Sequence, residues 1–112
     1  MEKVEKPWGY YKTFVDEDFS KVKEICIKPS HRPSYQFHLH RSETWIVISG
    51  SGLMTLDGVM SEVKKGDIIQ VPVKAKHRVE NTGTEDLIFI EVQFGEYFGE
   101  DDIVRLEDDY ER

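Results

Sequence analysis

The sequence predicts an all-β fold, a sandwich or a small barrel, and three observations support this prediction. Short runs rich in β-branched and aromatic residues alternate with polar residues along most of the chain. Turn signals such as Asp57-Gly58 and the run KKGD separate these runs at intervals of about 8–12 residues. Only the acidic C-terminal tail is compatible with a helical turn. Many short strands joined by regular turns are typical of antiparallel sheets that pack or close on each other.

The elements are expected in a simple order along the chain. A strand arm at 7–15 comes first, a barrel core at 20–95 follows, and an acidic tail at 96–112 closes the chain. In the first core strand, side-chain alternation places Lys23, Ile25 and Ile27 on one face. The predicted core strands are, in chain order, FSKVKEICIKP, YQFHLH, TWIVIS, GLMTL, VMSEV, IIQVPV, HRVENTG and DLIFIEVQF.

Length, charge and cysteine content exclude several classes of protein. The 112 residues fit one domain with a single core and leave no room for a second active domain. A net charge of −7 argues against nucleic acid or an anionic membrane as partner, because both require a basic face. Cys26 is the only cysteine, so no intramolecular disulfide can form and a reducing compartment is expected. Neither a signal peptide nor a membrane-spanning run is visible, so we expect a soluble cytoplasmic protein.

Residues that can carry chemistry concentrate in one stretch, YQFHLHRSETWIVISG. On a strand, Gln36, His38 and His40 would point to one face, because successive side chains alternate. Glu43 follows after a short break, and His77 lies further along the chain. Imidazole, amide and carboxylate donors from adjacent strands suit one divalent transition metal ion, and this donor set accommodates Zn, Mn, Co, Ni or Fe.

Two spaced motifs resemble those of the cupin superfamily. The run GDIIQVPVKAKHRVEN follows the second cupin motif, G-x5-P-x-G-x2-H-x3-N, except that Lys74 stands where the motif has a glycine. The run ETWIVISG matches the end of the first motif, G-x5-H-x-H-x(3,4)-E-x6-G. The resemblance implies a double-stranded β-helix, which is a small jelly-roll barrel, with His38, Glu43 and His77 as metal ligands.

The resemblance leaves the fourth ligand open. The usual spacing of four residues before Glu43 places the paired ligands at Gln36 and His38, with Ser30 at the glycine position. The visible His-x-His pair, His38 and His40, leaves only two residues before Glu43. An amide oxygen is a competent but weaker donor than imidazole. The fourth ligand is therefore Gln36 or His40, and the other residue is expected to face the same cavity.

Longer segments are similar to the type II mannose-6-phosphate isomerase domain, which in that family follows a mannose-1-phosphate guanylyltransferase. The similar segments include PWG, HRSETWIVISG, IEVQFGEYFGEDDIVRLEDDY and the closing Arg112, so the likeness extends from Pro7 to the end of the chain. It implies interconversion of mannose 6-phosphate and fructose 6-phosphate through an enediol. The glycine-rich nucleotide-binding part of such enzymes is absent, so guanylyl transfer is not expected.

The implied reaction requires a general base and cationic anchors for a phosphate. The expected base is Glu91, whose pKa burial in the barrel would raise, or His40 if it is not a ligand. Four residues are expected to contact the sugar phosphate, namely Arg41, Lys76, Arg105 and Gln93.

Other functions and the assembly state remain as alternatives at this point. The same fold also serves non-catalytic metal-binding or sugar-binding modules, dioxygenases and epimerases, and fold alone does not choose among them. The aromatic segments PWGYY and FGEYF are difficult to bury within one barrel. Together with an exposed edge strand they predict a homodimer in which the N-terminal strand or the tail crosses to the partner.

Overall fold

The computed structural model of the chain describes residues 2–110, so Arg112 and both outer limits of the predicted domain lie outside the described residues. Within this range there is no helix with the length and apolar character that crossing a bilayer requires. The described residues form eleven strands, which are β1 (Lys3–Lys6), β2 (Gly9–Asp16), β3 (Ser20–Ile27), β4 (Tyr35–Phe37), β5 (Arg41–Ser49), β6 (Ser51–Leu56), β7 (Val59–Lys64), β8 (Ile68–Val71), β9 (His77–Glu80), β10 (Leu87–Gly95) and β11 (Val104–Glu107).

The strands form two antiparallel sheets, which confirms the all-β prediction. The larger sheet has six strands in the order β1-β2-β3-β10-β5-β8, and the smaller has five in the order β11-β4-β9-β6-β7. Side chains alternate between faces, so Trp45 and Val47 of β5 and Phe89 of β10 enter the core. Met54 and Val79 of the smaller sheet join the same apolar cluster. The core therefore lies between the two sheets. Other side chains on the same faces of these strands point into the same interior.

The predicted turns form where the sequence places them. Asp57 and Gly58 have φ angles of 47° and 81° and connect β6 to β7. Positive φ at both central positions is the requirement of a type I′ hairpin, which the Asp-Gly pair meets at low cost. Gly66, in the turn between β7 and β8, has a φ of 93°. The first turn is a hairpin within the smaller sheet, where β6 also pairs with β9, the strand of His77. The second turn carries the chain from β7 into the larger sheet, where β8 pairs with β5, the strand of Glu43.

The acidic tail, the one segment that the sequence left compatible with a helical turn, contains a strand. In β11, Val104 pairs with Phe37 and Arg105 pairs with Gln36, both in β4. The short β4 is flanked on its other side by β9, and β11 satisfies the backbone groups that would otherwise be open on this edge. The tail thereby becomes one wall of the interior that the functional residues face.

Candidate metal centre

Three potential ligands converge in the interior between the sheets. Glu43 is on β5, His77 begins β9, and His38 lies just after β4. Each is buried, with an exposed fraction of 3% or less. One donor atom from each residue lies within 4.8 Å of the others, a spacing that a single metal ion can bridge. The three residues that the sequence placed in one metal site are therefore adjacent.

The hydrogen bonds of the two histidines orient their Nε2 atoms toward this point. His77 Nδ1 donates to the Ala75 carbonyl at 3.0 Å, and His38 Nδ1 donates to the Asp102 carbonyl at 2.6 Å. Because a carbonyl only accepts, Nδ1 carries a proton in both rings, and Nε2 is the ring atom that can bind a metal. His77 Nε2 is buried and has no hydrogen-bond partner among residues 2–110. An orphaned buried lone pair of this kind fits a metal ligand.

Electrostatics keep His38 and Glu43 in the protonation states that a metal needs. Burial lowers the pKa of His38 and outweighs the nearby Glu43 carboxylate, so the ring is neutral near pH 7. Burial alone would raise the pKa of Glu43, but the neighbouring His77, Arg41 and His38 reverse the direction and lower it. Trp45 Nε1 donates to Glu43 Oε1 at 2.9 Å and fixes the carboxylate plane. Neutral imidazoles and an ionised carboxylate are the ligand forms that bind divalent cations.

A buried arginine lies directly beside these donors. Arg41 Nε donates to Glu43 Oε2 at 2.9 Å, and Arg41 Nη2 donates to His38 Nε2 at 3.3 Å. Arg41 Nη1 is buried without a partner within residues 2–110. The guanidinium therefore compensates the charge of Glu43, and it keeps one donor available to a group that enters the cavity.

Gln36 and His40, the two candidates for the fourth ligand, lie in different surroundings. Gln36 is in register with His77, and its Oε1 accepts a hydrogen bond from Ser34 Oγ at 2.6 Å. Gln36 lines the same cavity as Glu43 and His77. The His40 side chain is 49% exposed, and its Nδ1 lies 3.4 Å from Glu96 at a separate surface.

The separation of His40 corrects the expectation that residues 36, 38 and 40 share one face of a strand. The strand β4 ends at Phe37, and the chain turns before β5 begins at Arg41. The Asp102 carboxylate accepts the backbone N–H groups of Leu39 and His40 at 2.9 and 3.0 Å. These bonds hold the backbone out of the ladder, so the alternation that would place His40 beside His38 does not continue.

Glu91 and Gln93 of β10 occupy the interior, on the same face as Phe89. Glu91 lines the cavity beside the three ligands, and Gln93 Nε2 donates to Glu91 Oε1. Burial raises the pKa of Glu91 to about 8, and the neighbouring Glu43 charge acts in the same direction. A carboxyl group with this pKa can take up and release a proton near neutral pH.

The predicted substrate anchors divide into two groups. Arg41 and Arg105 line a second, outer chamber, which shares Gln36 and Glu91 with the chamber of the ligands. The side chain of Lys76 is exposed on the turn before β9, where its backbone N–H donates to Asp57, and it lines neither chamber.

Sequence reasoning missed residues that support the centre. Asp102 orients His38 through its carbonyl, and nothing local in the tail indicates this long-range role. Lys23 is buried and lines the outer chamber. The sequence carried a signal for Lys23, because alternation placed it on the same face of β3 as Ile25 and Ile27.

Comparison with known proteins identifies relatives over nearly the whole chain. The family described as "Mannose-6-phosphate isomerase C-terminal" matches residues 1–108. The mannose-1-phosphate guanylyltransferase of Escherichia coli (strain K12) is 40% identical over 109 residues, and the alginate biosynthesis protein AlgA of Pseudomonas aeruginosa is 43% identical over 109 residues. Each match covers 97% of this chain and 23% of the relative, so the chain spans about a quarter of the length of these curated relatives.

Solved structures with the same fold include proteins of varied function. The capsular polysaccharide assembling protein CapF of Staphylococcus aureus is similar with a TM-score of 0.80 and 24% identity, covering 95% of this chain and 34% of that chain. A mutant of Bacillus subtilis oxalate decarboxylase OxdC gives a TM-score of 0.81 and 23% identity, covering 95% and 30%. The cupin domain of Schizosaccharomyces pombe Cnp3 gives 0.74 and 13%, covering 77% and 64%. These likenesses establish the cupin fold.

Proposed function

This chain belongs to the family of mannose-6-phosphate isomerase C-terminal domains, and from that premise we propose that it is a metal-dependent isomerase of mannose 6-phosphate and fructose 6-phosphate. One observation carries the proposal. The Nε2 atoms of His38 and His77 and the carboxylate of Glu43 converge in a cavity that Glu91 also lines. An enediol mechanism needs two components, which are ligands that hold a Lewis acid and a carboxyl group whose pKa is close to the working pH.

The residues of the chain have separate roles in this mechanism. His38, Glu43 and His77 would hold the metal, with Gln36 or His40 as the fourth ligand. When bound, the ion would polarise the O1 and O2 oxygens of the sugar and stabilise the negative charge of the enediolate. Ionised Glu91 removes the proton from C2 of the aldose and returns it to C1, while the hydroxyl proton passes from O2 to O1. The hydrogen bond from Gln93 holds the Glu91 carboxylate in place. The reverse reaction uses the same proton path.

A direct assay tests the proposed function. The purified chain, loaded in turn with Zn, Mn, Co, Ni or Fe, is expected to form fructose 6-phosphate from mannose 6-phosphate. Metal binding and sugar-phosphate binding without turnover would contradict the isomerase and indicate a binding module. Oxygen uptake with a phenolic or thiol substrate would instead indicate a dioxygenase.

The pH dependence of turnover tests Glu91. Because the base must be ionised and its pKa in the metal-free chain is raised to about 8, turnover should increase as the pH rises through an inflection at or below that value. A nearby cation favours the ionised form and moves the inflection downward. Glu91→Gln should lower turnover by about 100-fold or more and remove the inflection. Metal content, measured by elemental analysis, should stay unchanged. An active Glu91→Gln variant with the original pH profile would exclude Glu91 as the base.

We also propose that the chain forms a homodimer through the outer face of the larger sheet. Within residues 2–110, β1 and β11 pair with strands of their own chain. The outer face of β5, β8 and β10 exposes an apolar surface, in which Ile46 is 39%, Ile48 46%, Ile68 63% and Phe94 43% exposed. A continuous apolar surface of this kind is typical of an interface.

Light scattering at micromolar concentration measures the assembly directly. The parent chain should have the mass of a dimer. Ile46→Glu should give a monomer, because it places a charge in the centre of the apolar face. Val59→Glu is the matched control, since Val59 is 70% exposed on the other sheet. A monomeric parent chain would exclude the dimer, and a dimeric Ile46→Glu variant would exclude this interface.

A further inference from the structure

A buried lysine faces the outer chamber. The side chain of Lys23 is only 5% exposed, and its Nζ lies 4.1 Å from the centre of the Tyr11 ring. Removing an ammonium group from water costs several kcal/mol unless an anion compensates it. Lys23 is not part of the metal centre. The packing of β3 does not require a lysine at this position, because an apolar residue could pack there beside Ile25 and Ile27. Its burial therefore indicates a function for the charge.

The carboxylate that pairs with Lys23 comes from the tail and is partly exposed to solvent. The Glu100 carboxylate forms an ion pair with Lys23 and lies 3.5 Å from Lys21 Nζ. The Glu100 side chain is 54% exposed, and it lies in the connection between β10 and β11 rather than in a strand. Such a carboxylate can leave its partner with little change to the sheets. The Lys23 ammonium cannot leave, because it projects from the middle of β3.

The same chamber contains more positive charge than Glu100 neutralises. Lys6, Arg41 and Arg105 line it together with Lys23, and its second carboxylate is Glu91, which pairs in register with Lys23. Arg105 Nε has an acidic neighbour, Asp108 Oδ2, at 3.9 Å, and the Arg105 side chain is 38% exposed. Two or three cations around one exchangeable carboxylate match the charge of a phosphate monoester, which carries close to two negative charges at pH 7.

The outer chamber is placed to hold one end of a small molecule whose other end reaches the metal centre. Gln36 pairs with Arg105 on one side and with His77 on the other. Two strand spacings, about 9–10 Å, therefore separate the backbones of Arg105 and His77. Gln36, Arg41 and Glu91 line both chambers, so the two spaces are contiguous.

We propose that Lys23 and Arg105 bind the phosphate group of the substrate and that Glu100 occupies this site in the free chain as an internal anion, which the phosphate displaces. The assignment of this phosphate to a sugar phosphate rests on the proposed isomerase function. The anion site itself rests on the buried lysine and its exchangeable partner. Phosphate can displace Glu100 because it offers more charge and more acceptor oxygens to the same donors.

Calorimetric titration of the metal-free chain with inorganic phosphate tests the site without any need for turnover. Glu100→Gln should tighten phosphate binding by about five-fold, since the competing ion pair is worth about 1 kcal/mol. A misfolded variant would not bind more tightly, so the direction of the change is itself diagnostic. Glu85→Gln is the matched control, because Glu85 is exposed, lies outside both chambers and changes the net charge equally. The control should bind phosphate as the parent does.

Two further variants remove the cations. Lys23→Met and Arg105→Gln should each weaken phosphate binding by about ten-fold or more. If Lys23→Met does not fold, the phosphate affinities of Glu100→Gln and Arg105→Gln test the proposal. Equal phosphate affinity in the parent, Glu100→Gln and Glu85→Gln would overturn the proposal.

Kinetics separate the anion site from the isomerase function. In an active enzyme, Glu100→Gln should lower the KM for mannose 6-phosphate, and Arg105→Gln should raise it. An active enzyme whose KM responds to neither change would overturn the anion site while the isomerase function stands. Tighter phosphate binding by Glu100→Gln in a chain without isomerase activity would support the anion site and leave only the isomerase function rejected.

Discussion

Replacing His77 by alanine is expected to abolish tight binding of a divalent metal and to remove isomerase turnover with it. His77 Nε2 is buried with no hydrogen-bond partner among the described residues, and Nδ1 is bound to the Ala75 carbonyl. The ring is therefore held in the tautomer that presents a lone pair to His38 and Glu43. Changes to residues that only support a ligand cost 10–100-fold in affinity, so loss of a nitrogen ligand should cost more than about 100-fold. Elemental analysis after dialysis measures the loss.

Lys74→Gly is the matched control, because it changes the same loop without removing a ligand side chain. Lys74 has a φ of 69°, a left-handed conformation that costs a non-glycine residue about 1–2 kcal/mol. Its backbone N–H donates to the His38 carbonyl at 2.8 Å, and glycine keeps that group. The variant should retain its metal and gain up to about 1 kcal/mol of stability, reduced by the greater freedom of glycine in the unfolded chain. Unchanged metal content in His77→Ala would remove the basis of the site assignment.

The parts of the fold that follow from local sequence were predictable. Alternation places Glu91 and Gln93 of β10 on the same face as Phe89, and all three are buried. The Asp57-Gly58 pair marked a hairpin because few other residues accept positive φ at two consecutive positions. The spacing of His77 from Gly66 identified the second motif, and His77 lies close to His38 and Glu43.

The parts that depend on distant contacts were not predictable from local patterns. The turn after β4 is held by Asp102, which lies more than 60 residues from His40 in sequence. The strand in the tail forms because β4 offers an open edge, and the exposed pattern of Val104–Glu107 gives no sign of it. The environment of a buried cation such as Lys23 also depends on which tail residue reaches it. Each of these features joins segments that are far apart in the chain.

The identity of the fourth ligand is the remaining question at the metal centre, and we predict that it is Gln36. Gln36 is in register with His77 and lines the cavity of the ligands, whereas His40 is half exposed beside Glu96. Gln36 Oε1 accepts one hydrogen bond from Ser34 Oγ at 2.6 Å, so it is oriented and keeps a second lone pair. Gln36→Ala should therefore weaken metal binding by about ten-fold or more.

His40→Ala is the comparison that decides between the two candidates. The variant should keep its metal, with an affinity within about three-fold of the parent, because the ring lies outside the cavity of His38, Glu43 and His77. Turnover of the metal-loaded variant then tests the other role assigned to His40, that of an acid–base group. If His40→Ala loses most of its metal while Gln36→Ala keeps it, the turn after β4 must rearrange when the ion binds. In that case His40 would replace Gln36 as the ligand.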